Sequence, residues 1–215
     1  IIMNKEYYKD KSLKYGIGGT RRKRVFGLIG DVKNKKILDM GCATGYIGSE
    51  LKMMGNYVVG VDISEPAVKQ AREKLDEAYG LNIVGDWPEE IKKRIFDLIF
   101  MAEILEHVFD PANILKKAHS ILAEGGEAII TTPNILAWHH RIKFVFGKFK
   151  YENQGTFDFG HIRFFTYPYL KKILNESGFR IVKENHIIYP GKLTKILRFW
   201  PSMFANQFIV KIVEV

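Results

Sequence analysis

Three residues with metal-binding or proton-accepting side chains lie close together in the middle of the chain: Glu103, Glu106 and His107. In a helix, residues three and four positions apart share one face, so the spacing predicts that these side chains converge. Two carboxylates and one imidazole are ligands that Mg²⁺ and Mn²⁺ accept. The same groups could instead orient a substrate, with His107 facing the pocket and taking up a proton. The spacing leaves both roles open.

Three acidic residues each follow a short apolar segment: Asp39, Asp62 and Asp86. If these segments are parallel strands, their carboxyl ends meet at one edge of the sheet, where ligands of open α/β folds bind. A loop from Gly41 to Gly45 follows the first segment. Its glycines permit a tight turn and the close approach of a ligand, and a helix after it would present free backbone N–H groups. The pattern predicts a nucleotide-type ligand.

This loop differs from the dinucleotide fingerprint G-x-G-x-x-G, because Ala43 stands where a glycine makes room for a pyrophosphate. A carboxylate at Asp39 would repel a pyrophosphate but attract the ammonium group of S-adenosylmethionine, which carries no phosphate. We expect Asp62 to accept hydrogen bonds from the ribose hydroxyls, and Asp86 or its backbone to meet the adenine amino group. A dehydrogenase or other nucleotide-binding α/β domain is the competing interpretation.

The adenine base also needs an apolar neighbour, for which Trp87 and Ile63 are candidates. Four residues near the N-terminus, Tyr7, Tyr8, Arg21 and Arg22, are candidates for contact with the cofactor's carboxylate. The complete predicted cofactor-binding set is Asp39, Gly41, Cys42, Ala43, Gly45, Asp62, Ile63, Asp86, Trp87 and Ala102.

These residues must be positioned by regular elements, and from residue 35 onward short β-branched segments alternate with helical patterns. Strands are predicted at 36–39, 57–62, 81–84, 96–100 and 127–131. Ser64 is expected to cap a helix whose apolar stripe is Val68, Ala71, Leu75 and Ala78. Such alternation gives right-handed βαβ units. The sequence therefore predicts a doubly wound, Rossmann-like α/β fold, with a mostly parallel sheet, helices on both faces and a C-terminal antiparallel strand.

A single domain is predicted for the 215 residues, since the chain has little room for a second core. We divide it into an N-terminal helical cover (1–34), a cofactor-binding core (35–133), a substrate lid insertion (134–165) and a C-terminal helix with strands (166–215). The lid segment is aromatic and basic and shows no clear period, and loops of that length are usually lids or binding loops. In the last part we expect a helix at 166–178 and strands at 179–188 and 208–215.

The segments ILDMGCATG, VVGVDIS, FDLIFMAEILEHVFDP and GGEAIITTPN together resemble the class I S-adenosylmethionine-dependent methyltransferases. The resemblance covers residues 35–134 and, more loosely, continues through HIRFFT to the C-terminus. It is closest to the branch of quinone-biosynthesis and sugar or other small-molecule O-methyltransferases. It implies methyl transfer from S-adenosylmethionine to an oxygen of a quinone precursor, a sugar or a similar metabolite. An RNA-directed 2′-O-methyltransferase and a catalytically lapsed cofactor-binding module are the alternatives.

In relatives with the E-x-x-E-H pattern, including small-RNA terminal 2′-O-methyltransferases, the resemblance implies that Glu103, Glu106 and His107 bind a divalent metal such as Mg²⁺ or Mn²⁺. Methyl transfer from a sulfonium is a direct displacement, so the protein must supply in-line positioning and, for a hydroxyl acceptor, removal of a proton. Cys42 is therefore expected to be only a small residue in a tight loop. His161, in a segment that resembles one closing over the acceptor, is a second candidate for the base or a further metal ligand. The predicted catalytic residues are His107, His161 and Glu103.

The chain is basic, with 33 Lys and Arg against 24 Asp and Glu and a formal net charge of +9. A positive charge of this size suits binding to an anionic membrane, nucleic acid or an anionic substrate. The alternative is that the lysines only form a solvated surface. Basic and aromatic residues at 141–150 and 192–204 predict peripheral membrane contact, unless the aromatic rings line the pocket or core. A single cysteine and the lack of an apolar run of about 18 residues predict a cytoplasmic protein. We expect a small-molecule acceptor and consider nucleic acid less favoured.

Overall fold

The β-branched segments of the sequence form one central sheet. In the computed structural model, which describes residues 11–13, 18–188, 197 and 199–215, the strands are β1 (Lys36–Met40), β2 (Tyr57–Asp62), β3 (Glu77–Gly80), β4 (Phe96–Ala102), β5 (Leu122–Pro133), β6 (Phe179–Glu184), β7 (Ile187–Ile188) and β8 (Ala205–Glu214). Within these residues the order in the sheet is β3-β2-β1-β4-β5-β8-β6, and β7 pairs with β8.

Strands β1 to β5 run parallel to one another, whereas β8 lies between β5 and β6 and is antiparallel to both. The chain moves outward from β1 in one direction to β3, then crosses to β4 and continues in the other direction. This reversal leaves a crevice past the carboxyl ends of β1 and β4, where ligands of open α/β sheets bind. The predicted doubly wound fold with a C-terminal antiparallel strand is confirmed.

Helices cover both faces of this sheet. They are α1 (Gly19–Ile29), α2 (Tyr46–Met53), α3 (Glu65–Ala71), α4 (Glu89–Lys92), α5 (Pro111–His119), α6 (Trp138–Val145), α7 (Tyr167–Glu176) and α8 (Pro201–Phe204), with a 3₁₀ turn at Leu105–His107. Two helices begin with side-chain caps. The Asp110 carboxylate accepts a hydrogen bond from the Asn113 N–H at 3.0 Å, and the Thr166 hydroxyl accepts one from the Tyr169 N–H at 3.3 Å.

Neighbouring residues of each strand pack on opposite faces, as the two-residue period of a strand requires. Ile37 and Val58 lie in a core formed with α1, α2 and α3, while Leu38 and Val59 lie in a core formed with α4, α5 and α7. All four side chains are fully buried. Burial on both faces explains why these strands read as nearly continuous apolar segments in the sequence.

The third strand lies four residues earlier than the sequence predicts. It was expected at 81–84, but β3 is Glu77–Gly80, and residues 81–84 form the loop that follows it. The Asp76 carboxylate accepts a hydrogen bond from the Val58 N–H at 2.8 Å, which fixes the chain beside β2 just before β3 begins. The apolar residues at 81–84 favoured a strand there, but the hydrogen bond between Val58 and Asp76 aligns the chain so that the strand begins at Glu77.

The helix before β3 is correspondingly shorter than predicted. It ends at Ala71, so Leu75 and Ala78, which were expected on its apolar stripe, lie in the following turn and on β3. Both are nevertheless buried. Leu75 fills space that glycine leaves open, since a Cβ added to Gly60 would lie 2.6 Å from its Cδ1. Apolar residues at helical spacing in the sequence therefore did not show where the helix ends and the turn begins.

The segment 134–165 contains more regular structure than its sequence indicates, because α6 lies within it. Its designation as a lid, and the division of the chain into four parts, remain predictions. Residues 1–10, 14–17, 189–196 and 198 lie outside the described part, so the basic segment at 192–204 is seen mainly as residues 199–204. Among the described residues, no helix is long and apolar enough to cross a bilayer.

Candidate active site

A cavity of about 410 Å³ opens past the carboxyl ends of β1, β2 and β4, where the sequence places the predicted site. Its wall combines loop residues that follow these strands with residues 153–161 of segment 134–165 and with residues of the N-terminal region. The predicted residues that line it are Gly41, Ala43, Asp62, Ile63, Ala102, Glu103, His107 and His161. A volume of this size is typical of small-molecule sites.

The loop after β1 and the end of β2 form one hydrogen-bonded unit around Asp62. Asp62 Oδ2 accepts the Ala43 N–H at 3.0 Å, and Oδ1 accepts the Ser64 N–H at 2.8 Å and the Ser12 hydroxyl at 3.2 Å. Burial raises the pKa of Asp62, and these hydrogen bonds oppose that shift because they favour the carboxylate. The carboxylate is thus held in place on the cavity wall.

The tight turn of this loop depends on left-handed backbone. Gly41 has φ 79° and Gly45 has φ 76°, a region that glycine enters without strain, and Ala43 adopts φ 48° between them. The Cys42 thiol is buried, and burial raises its pKa well above the usual range. Cys42 stays a neutral thiol and, like Gly45, does not line the cavity.

Asp39 lies close to Asp62 but is not part of the cavity wall. Burial, and secondly the charge of Asp62, raise the pKa of Asp39 to about 7, while the backbone N–H of Gly48 opposes the shift. Its Oδ2 atom makes no hydrogen bond of normal geometry with a described residue. Contact between Asp39 and the cofactor's ammonium group remains a prediction.

The chain after β3 supplies apolar wall residues that sequence reasoning did not select. Leu81 and Ile83 line the cavity together with Ile63. Asp86 is exposed and Trp87 is buried in the core, with its Nε1 donating to the Ile83 carbonyl at 2.8 Å; neither lines the cavity. The displaced third strand accounts for this difference, because it moves the strand's carboxyl end toward Leu81.

The N-terminal region contributes three further wall residues, Lys11, Ser12 and Arg21. Arg21 was a candidate from the sequence, whereas Lys11 and Ser12 carried no recognisable signal. Arg22 does not line the cavity; its Nε donates to Glu50 at 2.7 and 2.8 Å. Tyr7 and Tyr8 lie outside the described residues.

The expectation that Glu103, Glu106 and His107 share one helical face is wrong. Glu103 adopts a left-handed conformation with φ 55°, and only the short 3₁₀ turn Leu105–His107 follows it. The Glu103 N–H donates to the Thr131 carbonyl on β5 at 3.0 Å, which turns the chain away from a helical start. The Glu103 side chain therefore does not share a helical face with Glu106 and His107.

The Glu103 carboxylate has its own partners on the cavity wall. Its Oε1 atom accepts a hydrogen bond from the Thr131 hydroxyl at 3.1 Å and another from the Gln207 amide on β8. Arg21 lies 3.6 Å from Oε2. Gln207 and Arg21 come from opposite ends of the chain, so this network depends on the antiparallel strand and the N-terminal helix.

Glu106, His107 and His161 form a compact cluster instead. One possible ligand atom from each lies within 4.8 Å of the others, and all three residues are buried. The histidine rings meet edge to face with centroids 4.7 Å apart. The Glu106 carbonyl accepts the N–H groups of Ile162 and Arg163 at 2.9 and 3.1 Å. These bonds fasten the segment carrying His161 to the turn carrying His107.

Backbone carbonyls set the tautomer of both histidines in this cluster. His107 Nδ1 lies 2.9 Å from the Gly160 carbonyl, and His161 Nδ1 lies 2.9 Å from the Thr156 carbonyl. A carbonyl can only accept, so each Nδ1 carries the proton and each Nε2 carries the lone pair. Burial, and secondly His161, lower the pKa of His107 to about 4; burial also lowers the pKa of His161. Both rings are therefore neutral at physiological pH.

Glu106 is the unusual member of the cluster. Neither carboxyl oxygen makes a hydrogen bond of normal geometry with a described residue, and the same is true of the nearby Thr132 hydroxyl. Burial, and secondly the charge of Glu103, raise the pKa of Glu106 well above its usual range, although Thr132 and Arg21 favour the ionised form. A buried carboxyl group without hydrogen bonds is costly unless it holds a proton or meets a cation.

The far end of segment 134–165 closes this side of the cavity with Asn153, Gln154, Gly155 and Asp158. Asp158 Oδ1 accepts the Gly160 N–H at 2.8 Å and is paired with Lys11 Nζ at 2.5 Å. The N-terminal region thus bridges the two sides of the cavity, since Ser12 contacts Asp62 and its neighbour contacts Asp158. Sequence reasoning identified this segment but not its polar wall residues.

Comparison with known proteins identifies relatives of this chain. The family model described as a methyltransferase domain matches residues 19–184. The ubiquinone biosynthesis O-methyltransferase of Thiobacillus denitrificans (strain ATCC 25259 / T1) is 30% identical over 182 residues, which are 81% of this chain and 77% of that protein. Several further curated proteins of the same description match over about half of their own length.

Solved structures show the same fold. An S-adenosylmethionine dependent methyltransferase from Mesorhizobium loti superposes with a TM-score of 0.65 at 17% identity, covering 91% of this chain and 98% of that one. The magnesium protoporphyrin IX methyltransferase from Synechocystis PCC 6803, with bound SAH, gives a TM-score of 0.64 at 15% identity, covering 98% and 94%. At these identities the similarity concerns the fold.

Proposed function

The chain belongs to the family of methyltransferase domains, and on that premise we propose that it transfers a methyl group to an oxygen of a quinone precursor, a sugar or a similar metabolite. It is an S-adenosylmethionine-dependent methyltransferase that acts on a small-molecule acceptor. The observation that carries the finer proposal is one cavity whose wall includes both Asp62 and the two histidines of the Glu106–His107–His161 cluster. Among acceptors we favour a quinone precursor, because of the description of the 30%-identical relative.

Asp62 and the apolar wall beside it support the proposed position of the cofactor. The buried, immobilised carboxylate is suited to accept hydrogen bonds from ribose hydroxyls. Ile63, Leu81 and Ile83 provide the apolar surface on which an adenine base would pack. Asp39 would act from behind the loop, where its negative charge favours a bound ammonium group.

The cluster residues fit a divalent metal. Glu106 offers two oxygens that make no hydrogen bond of normal geometry with the described residues. The Nε2 atoms of His107 and His161 complete a mixed oxygen and nitrogen donor set. The Nδ1 hydrogen bonds to backbone carbonyls are the outer contacts that orient metal-binding histidines. When bound there, Mg²⁺ or Mn²⁺ would lower the pKa of an acceptor hydroxyl. Glu103 lies outside the compact cluster, and its assignment as a metal ligand remains a prediction.

The histidines serve this chemistry better as ligands than as strong bases. A pKa of about 4 makes the neutral His107 ring a weak proton acceptor. Metals bind the neutral form of imidazole, which is the form that burial maintains here. With Nδ1 bonded to a carbonyl and Nε2 serving as a ligand, neither ring can also take up a proton. The acceptor's proton would pass instead to Glu103, the predicted catalytic carboxylate on the cavity wall, as the S–CH₃ bond breaks and the O–CH₃ bond forms.

The working environment of the chain is also part of the proposal. We propose a cytoplasmic enzyme that contacts a membrane peripherally, with nucleic acid a less favoured partner. The single cysteine supports a reducing compartment, and the basic residues near segment 134–165 support an anionic surface. An RNA substrate would require a steep loss of affinity with salt, which a filter-binding titration measures.

The test is methyl transfer from labelled S-adenosylmethionine to an ortho-dihydroxybenzene probe, followed by a screen of lysate metabolites. We expect transfer that excess EDTA abolishes and Mg²⁺ or Mn²⁺ restores. We also expect His107→Gln to lose transfer while its dissociation constant for the cofactor stays unchanged. Full activity in excess EDTA contradicts the metal, and failure of the protein to bind S-adenosylmethionine in calorimetry contradicts the whole proposal.

A further inference from the structure

Helix α6 presents apolar residues on two opposite faces. On its inner face, the His140 and Phe144 rings lie 4.7 and 5.7 Å from the ring of Phe157, which is buried. On its outer face, apolar residues recur at positions i, i+4 and i+7 and are exposed: Trp138, Ile142 and Val145. A surface helix of a globular protein normally carries polar residues on its outer face.

The exposed apolar residues continue beyond the helix. Phe146 is 72% exposed, and Phe149 and Tyr151 are exposed further along the chain. A second segment lies alongside, because Arg141 donates to the Ser202 carbonyl at 3.5 Å. Just before Ser202, Phe199 is 88% and Trp200 64% exposed. Scattered apolar residues on a surface are ordinary, but a contiguous set of this kind marks a contact site.

Residues 134–151 carry only basic charge, and the first acidic residue after them is Glu152. Their basic residues are Arg141, Lys143, Lys148 and Lys150. The three lysines are exposed. We name the exposed apolar and basic residues of 138–151, together with Phe199 and Trp200, the basic aromatic surface. Its aromatic side chains do not line the cavity, which removes the alternative that they serve as pocket residues.

We propose that the basic aromatic surface binds an anionic lipid membrane. Lysines can direct their ammonium groups to lipid phosphates while apolar side chains enter the boundary below the headgroups. Nucleic acid could stack on the aromatic rings of this surface, but it makes no comparable use of the exposed aliphatic side chains of Val145 and Ile142. Val145 is 81% exposed and contributes to no core cluster, so lipid is the environment that suits it.

The surface and the cavity share one chain segment. Tyr151 stacks on Phe159, with ring centroids 5.8 Å apart, and the residues enclosed between them include Asn153 and Gln154 of the cavity wall. A membrane bound at 138–151 therefore lies next in sequence to the wall of the active site. Membrane binding does not depend on methyl transfer, so its failure would leave the proposed reaction untouched.

Vesicle flotation of the full chain tests the proposal. We expect co-flotation with phosphatidylcholine vesicles that contain phosphatidylglycerol, and at least tenfold less with pure phosphatidylcholine. Lys148→Glu with Lys150→Glu should weaken binding by at least roughly fivefold per lysine, the usual effect of one basic residue near an anionic surface. Val145→Ser with Phe146→Ser should weaken it about tenfold.

Matched controls carry the same types of change at exposed residues outside the basic aromatic surface. Lys69→Glu with Lys116→Glu alters exposed lysines on α3 and α5, and Met53→Ser with Ile95→Ser alters exposed apolar residues before β2 and β4. Both should bind vesicles like the unaltered protein, and all variants should keep their circular dichroism and affinity for S-adenosylmethionine. The proposal is overturned if the unaltered protein does not float, if the controls lose binding as much as the surface variants, or if the surface variants lose only RNA binding.

Discussion

The two ends of the cavity differ in how completely their buried carboxyl groups are satisfied. At one end Asp62 accepts hydrogen bonds from two backbone N–H groups and one hydroxyl. At the other end Glu106, which is buried beside the wall residues His107 and His161, has two oxygens without a hydrogen bond of normal geometry among the described residues. Burial raises the pKa of both groups; hydrogen bonds from the Ser64 and Ala43 N–H groups oppose the shift at Asp62, whereas the charge of Glu103 adds to it at Glu106.

This difference separates a preformed end from an incomplete one. Asp62 is positioned before any ligand arrives, which favours binding because little reorganisation is required. Glu106 needs a proton or a cation to offset its desolvation. Under the proposed function, the Asp62 end would bind the cofactor with little reorganisation, whereas Glu106 would be completed by a proton or a cation. Three experiments can break or sharpen this comparison.

The largest effect is expected for Glu106→Gln. The amide keeps the shape of the side chain but cannot bind a cation as a carboxylate does, so transfer to the dihydroxybenzene probe should fall by about 100-fold or more. The dissociation constant for S-adenosylmethionine, measured by calorimetry, should not change. If this variant weakens cofactor binding as strongly as a change at Asp62, the two ends are not separate.

A pH-dependent effect on stability is expected from His107. Its pKa is about 4 in the folded chain and 6.5 in the reference state, so the unfolded chain binds the proton first as the pH falls. Above pH 6.5 the ring is neutral in both states and the free energy of unfolding is unaffected by it. As the pH falls from 6.5 to 4, protonation of the unfolded chain lowers the free energy of unfolding by about 3 kcal/mol in total.

Urea unfolding at pH 7 and pH 4.5 of the unaltered protein and of His107→Gln isolates this contribution. The variant should lose less stability on acidification than the unaltered protein, because glutamine does not titrate. Equal losses in both proteins would show that His107 is not buried in the neutral form. The other buried groups, including His161 and Asp39, are common to both proteins and cancel to first order in the comparison.

A smaller effect is expected at the preformed end. Asp62→Ala should weaken S-adenosylmethionine binding by about 1–3 kcal/mol, the usual range for hydrogen bonds to a charged group. Asp62→Asn, which retains the shape of the side chain, distinguishes lost ligand contact from a collapsed loop. Asp86→Ala is the matched comparison, since its carboxylate is exposed and outside the cavity wall, and it should cost less. A larger loss for Asp86→Ala would favour the original adenine assignment.

Local sequence patterns predicted the scaffold well for identifiable reasons. Strands β1, β2 and β4 are buried on both faces, so their apolar segments are unambiguous in the sequence. Asp39 is the penultimate residue of β1 and Asp62 is the last residue of β2, so locating these strands also located both carboxylates. The glycine turn depends on backbone freedom at Gly41 and Gly45, which residue type alone reveals. The third strand was misplaced because Leu75 is buried at helical spacing although it lies in a turn.

The acceptor end could not be derived in the same way. The E-x-x-E-H spacing identified Glu106 and His107, but the predicted helix through them does not form. The left-handed backbone of Glu103 accompanies its hydrogen bond to Thr131, which lies on another strand. His161 joins the cluster only because the Glu106 carbonyl binds the N–H groups of Ile162 and Arg163. No pattern within a short segment encodes such contacts.

The sequence by itself therefore determined strands β1, β2 and β4, the glycine turn, and Asp39 and Asp62 at the strand ends, since periodicity and residue type act over a few neighbouring positions. The tertiary structure decided which side chains share the cavity: Lys11 and Ser12 from the N-terminal region and His161 from beyond α6. It also brought Gln207 of β8 to the wall residue Glu103. These residues are brought together by burial and hydrogen bonds between segments far apart in the chain. Such contacts depend on the packing of the whole domain, and the order of residues along one segment does not contain them.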